Sequence, residues 1–168
     1  MVDLCTSFLK LLADALVARG INKPMCPREA HFFSMFVMML SYAQVYGEPT
    51  DESERLYSFQ IDMLGQIIKE HLSMDAQLPK DQFFIFRAYL YNEAVDRYGE
   101  YSEAFEKDMN NTNTVFSNLL KSFCKHLFAD PLEPEEEAAF VVTGAILFSS
   151  HAVRCRSAWQ EAHHGKPT

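Results

Sequence analysis

The segment PREAHFFSMFVMMLSYAQVY, residues 27–46, decides how this chain folds. Its middle, HFFSMFVMML at residues 31–40, is apolar at nearly every position, so no single helical face holds all of those side chains. A helix that is apolar all round is normally central in its domain. Pro27 suits the first helical position, where its missing N–H would have no partner anyway, and Gly47 suits the stop. The sequence therefore predicts an inner helix from Pro27 to Tyr46.

Upstream, Leu4, Phe8, Leu11, Leu12 and Ala15 recur at helical spacing, with Asp3, Ser7, Lys10 and Asp14 opposite. This predicts an amphipathic helix over about 3–19, ended by Gly20. Downstream, Tyr57, Ile61, Leu64, Ile68 and Leu72 form one stripe of a helix that starts after Thr50. A second helix apolar all round, containing QFFIFRAYLY at 82–91, begins at Pro79 and stops before Gly99. After Ser102 comes another amphipathic helix, with Phe105, Met109, Phe116, Leu119, Phe123 and Leu127 inward and a kink favoured by the weak helix formers Asn110 to Asn113. The last helix runs from Pro134 to about Trp159. No stretch alternates with period two for long enough to form a strand. The expected architecture is all-α, six helices as three related αα-hairpins, in a helical bundle or a short α-solenoid-like array. The whole chain, 1–168, is one domain, with hairpins at about 3–46, 51–98 and 102–159 and a polar tail at about 160–168.

The hairpins share boundary residues. Pro27-Arg28-Glu29 aligns with Pro79-Lys80-Asp81 at a shift of 52 (79 − 27), and the same shift sets Tyr46-Gly47-Glu48 on Tyr98-Gly99-Glu100. His71-Leu72 and Pro79 recur as His126-Leu127 and Pro134 at a shift of 55 (134 − 79). Each shared residue has a local reason in capping or helix-dipole chemistry. Their recurrence in one order favours duplication over chance.

A chain of 168 residues buries roughly 70% of its unfolded surface without disulfides or metal. Its 48% apolar content, with 14 Phe, 8 Met and 7 Tyr, is that of a globular protein. A net charge of −8 argues against nonspecific binding to nucleic acid or an anionic membrane, which needs clustered Lys and Arg. Cys5, Cys26, Cys124 and Cys155 form neither a CxxC pair nor a zinc spacing. Asp3 stands where a secretion signal would be basic, and the run from His31 to Tyr46 is shorter than the ~20 residues of a membrane span. These features predict a cytoplasmic protein with reduced thiols.

Candidate chemistry is sparse. His151 and Cys155 are four apart on one helical face, as a nucleophile and its base or two metal ligands would be, but no third group stands at a fixed spacing. Arg87 directly follows Phe83 to Phe86, where a buried cation would hold an anion or a carboxylate, and Tyr91 is one turn on. Glu93 and Arg97 have the spacing of an exposed helical ion pair. Glu161-Ala162-His163-His164 contains a single Glu-x-x-His, where a di-iron bundle needs two such motifs and two further carboxylates. No phosphate loop, nucleophile elbow or metalloprotease motif is present. No catalytic residue, metal ligand or cofactor is assigned.

The reading that follows is a non-enzymatic helical module that binds a protein partner or itself. Phe32, Phe36, Met39 and Phe84 would supply the apolar interface. The alternative is a small-ligand or metal site between helices at Arg87, Tyr91, His151 and Cys155, serving binding or an enzymatic reaction.

Overall fold

The computed structural model describes residues 2–47, 51, 55, 80–111 and 115–164. Among these the chain is all-helical, in five helices: α1 (Val2–Ala18), α2 (Pro27–Tyr46), α3 (Lys80–Asn110), α4 (Ser117–Leu127) and α5 (Pro134–His164). The helix expected over about 51–72 and the break at 73–78 lie outside the described residues, apart from Asp51 and Arg55, which are helical.

The segment 27–46 is the axle. Its residues Phe32 to Met39 are buried without a gap, and α2 packs against each of the other four helices. At its centre the Phe33 ring stacks on Phe123 of α4 at 4.0 Å and meets Tyr101 of α3 edge-on at 5.4 Å. It also lies 5.9 Å from Phe8 of α1 and 6.1 Å from Phe148 of α5. One side chain thus touches a ring from every neighbouring helix. Burying a Phe stabilises by about 1.5–3 kcal/mol, and each favourable ring pair adds about 0.5–1.5 kcal/mol.

The connections follow from backbone needs at helix ends. Gly20, at φ +79, donates to the Val17 carbonyl while Ile21 donates to that of Leu16, so two orphan carbonyls of α1 are satisfied. The α1–α2 loop is then tied to the α4–α5 loop: Cys26 N–H donates to the Leu127 carbonyl at 2.7 Å, and Met25 bridges Phe128. Lys23 adds a bond to the Pro131 carbonyl at 2.7 Å and an ion pair with Glu136 at 3.1 Å. Pro134 opens α5, and the Glu136 carboxylate accepts the Glu133 N–H at 2.9 Å, as the third residue of a capping box does.

The structure corrects the expected break at 99–101. Helix α3 runs unbroken through Gly99 and Ser102, whereas Gly47 has φ +87 and ends α2. The two Tyr-Gly sites are therefore not equivalent, and the three-hairpin scheme is not reproduced among the described residues. An interior Gly costs a helix only ~1 kcal/mol, and α3 gains more here from packing. Tyr101 and Ala104 enter the core just beyond it, and Arg97 and Glu100 reach partners on α2 and α4.

The break falls instead after Asn110, beside the weak helix formers. The helix expected over 102–127 is split, its first part joining α3 and its second part forming α4. Phe116, before α4, sits in the left-handed region at φ 48 and offers no capping oxygen. Asp108, buried on α3, does the capping. Its carboxylate accepts the backbone N–H of Asn118 at 3.1 Å and of Leu119 at 2.9 Å, and the Asn118 side-chain amide at 2.7 Å. A carboxylate at the positive end of a helix dipole is favourable as well as bonded.

The second helix expected to be apolar all round is also enclosed only in part. Ile85, Tyr89 and Val95 on α3 face outward, as do Leu11 and Met109, both expected inside. The tail expected from residue 160 is helical as far as His164.

Replacing Asp108 with Ala is expected to cost about 2 kcal/mol of stability, because two N–H groups at the start of α4 lose their acceptor. Urea unfolding measures this; a loss under ~0.5 kcal/mol would show that the carboxylate does not cap α4.

Candidate functional site

The His151–Cys155 pair sits where α1, α2 and α5 meet, and both residues are buried. Ser34 of α2 donates its hydroxyl to Cys5 Sγ at 3.1 Å, so its oxygen accepts from His151 Nε2, 2.8 Å away. This assigns the proton of the neutral ring to Nε2. Cys5 in turn donates to Met38 Sδ at 3.5 Å. The result is a directed chain, His151 to Ser34 to Cys5 to Met38, across three helices. Cys155 Sγ lies 3.7 Å from Nε2 and 3.9 Å from Nδ1 of His151, and the Phe8 ring stacks on the imidazole at 4.6 Å.

Electrostatics makes this cluster quiet. Burial, helped by the Arg154 charge, lowers the His151 pKa to about 4. Burial raises Cys155 to about 12 and pushes Cys5 up as well. A nucleophilic cysteine must be a thiolate, and here both remain thiols at neutral pH beside an uncharged imidazole. Among the described residues no three His, Cys, Asp or Glu side chains are grouped to hold a metal ion.

Arg87 and Tyr91, the other two residues expected here, are on α3, with Arg87 half-buried. Tyr91 is 42% exposed on α3, about four helical turns before Phe105, where α3 meets the Phe148 ring of α5. His151 and Cys155 are enclosed at the junction of α1, α2 and α5, His151 three residues beyond Phe148. Of the four residues expected around one ligand, His151 and Cys155 are brought together.

The expected interface residues are also placed differently. Phe32, Phe36 and Met39 are buried within the chain, so none is free to meet a partner. Phe36 packs edge-on against Tyr98 and close to Tyr101. The Phe84 side chain lies outside the described residues.

One polar cluster was not visible along the sequence. Glu29, buried in the first turn of α2, accepts from Arg97 Nε of α3 at 3.0 Å. Arg97 also approaches Glu100 at 3.8 Å, and Glu100 binds His126 at 2.8 Å and Ser122 at 2.9 Å on α4. Glu93 pairs with Arg28 at 3.1 Å. The expected exposed pair between Glu93 and Arg97 is replaced by two bonds to α2. Burial raises the Glu29 pKa, with Arg97 opposing it. Glu100, by contrast, lies below its usual range, because His126 and Ser122 outweigh partial burial. The network joins α2, α3 and α4, and this fastening keeps α3 helical past Gly99.

The remaining candidate is a surface. Phe140, Phe148, His151, Cys155 and Trp159 form the buried side of α5. At Gly144 this side approaches α4 so closely that a Cβ would stand 2.9 Å from Leu120 Cδ2. The opposite side carries Val142, Ile146 and Val153, exposed at 52%, 64% and 56%. Their signal was present in the sequence as apolar residues out of phase with the inner aromatics. Over Pro134–Glu161 this helix is also long and apolar enough to cross a membrane, with 39% of its most apolar window buried in the fold. Comparison of the chain with family models, curated proteins and solved structures finds no match.

The neutral His151 makes stability depend on pH. An imidazole held near pKa 4 when folded, but near 6.5 when unfolded, binds its proton preferentially in the unfolded chain. Its contribution is complete above pH 6.5 and is lost as pH falls from there toward 4, a change of about 3 kcal/mol. His151→Gln should flatten that part of the stability curve measured by urea unfolding. Equal slopes in both proteins would mean that His151 is not held neutral.

Proposed function

We propose that this chain is a non-enzymatic helical protein-interaction module whose binding surface is the outer side of α5. The carrying observation is the row Val142, Ile146 and Val153, three large apolar side chains more than half exposed on a helix whose other side is fixed in the core. Exposed apolar residues scattered singly are ordinary, but a row on one rigid element suits helix-against-helix docking. The anchoring supports the reading further. Trp159 donates to the Met38 carbonyl at 3.0 Å, and Ser41 to the Ala152 carbonyl at 3.3 Å. The surface therefore needs little ordering when a partner arrives.

The proposal places the module in the cytoplasm. Cys5 and Cys155 are used there as thiols, one within the hydrogen-bonded chain and one against His151, roles that suit a reducing compartment.

A photo-crosslinking residue at position 146, in cells, tests the reading against the same residue at exposed Glu106. A protein adduct specific to position 146 is expected. No adduct at 146, or equal adducts at both sites, would remove the α5 surface as a binding site.

A further inference from the structure

The outer side of α5 has more order than its exposure alone. Val142, Ile146, Ser149, Val153 and Arg156 follow one another at alternating steps of four and three residues, and Ala139, half-buried against the core, continues their line. That is the seam spacing of two helices packed along their length. The seam ends in opposite charges. Glu135 lies on its line at the start of α5, while Arg154 and Arg156 flank its far end. None of these three has an ion-pair partner among the described residues. Their neighbours Glu136 and Glu137 are engaged by Lys23 and Lys121 within the chain.

We propose that a second copy of this chain lies antiparallel along this seam, so that each copy's Glu135 end meets the other's Arg156 end. This names the partner of the surface proposed above and rests on that reading. Only an antiparallel arrangement matches the charges: parallel copies would set Arg156 beside Arg156 and Glu135 beside Glu135. A two-fold axis between Leu147 and Phe148 sets Val142 opposite the second copy's Val153. It also sets Ile146 opposite the second copy's Ser149, whose small side chain leaves room for the larger one. Arg156 then falls opposite the second copy's Ala139, about one turn, or roughly 6 Å, along the axis from that copy's Glu135. A long guanidinium side chain spans that offset. Such a contact is isologous and closes on itself, giving a dimer and not a filament. One helix pair is a small interface, so the dimer dissociates on dilution.

Sedimentation velocity of the full chain over a range of concentrations tests this, with helicity checked by circular dichroism. The wild type is expected to move from monomer to dimer as concentration rises. Glu135→Arg and Arg156→Glu, each alone, should weaken the dimer by tenfold or more, and the double variant should restore it, because the swapped charges again face each other. Ile146→Asp should abolish it while the monomer stays helical, since that side chain is outside the core. A wild type that stays monomeric at every concentration overturns the proposal. So does a dimer indifferent to the charge reversals, or a folded double variant that is not restored. A monomeric wild type that floats with phosphatidylcholine vesicles, and loses this with Ile146→Asp, would assign the seam to a membrane and overturn it too. If the chain is monomeric while position 146 crosslinks to a different protein, the second copy is excluded and the interaction-module reading stands.

Discussion

The Phe33 ring stacked on Phe123, with rings from the three other neighbouring helices around it, is the contact on which the rest of this structure depends. It exists because α2 is apolar on all sides and has to be enclosed. Among the described residues four helices pack around α2, and α5 does so with one side while its other side carries exposed apolar residues. The outward row on α5 is therefore a consequence of the central burial of α2.

Polar groups on α2 show how the enclosure is made specific. A central helix with only apolar contacts could slide or rotate among near-equal packings. Here Glu29 is held by Arg97, Ser34 by His151 and Cys5, and the Met38 carbonyl by Trp159. Each would be costly to bury unbonded, so together they fix the register of α2 against α1, α3 and α5. The same economy explains why the His151 cluster is chemically quiet. Its groups satisfy one another, and burial keeps them in their uncharged forms.

Much of this was legible in the sequence. Pro27, Gly47 and the run of apolar residues between them define α2 almost to the residue, because its capping is local and its apolar pattern is unbroken. Gly20 and Pro134 mark their helix ends for the same reason. Gly99 misled because its local stop signal is overridden by Arg97, Glu100 and Tyr101, whose partners Glu29, Phe33 and His126 are distant in sequence. The His151–Cys155 adjacency follows from helical spacing, but its partners Ser34 and Cys5 come from other helices. Exposure was the least legible feature. Phe36 and Ile85 have similar apolar surroundings in sequence, yet one is core and the other faces outward. Only the assembled neighbours distinguish them.

Native-state hydrogen exchange tests the central position of α2 most directly. If the fold is built around it, the amides from Phe32 to Met39 exchange only through global unfolding, with the highest opening free energy in the protein. Exchange of these amides through a smaller opening than those of α4 or α5 would contradict the account.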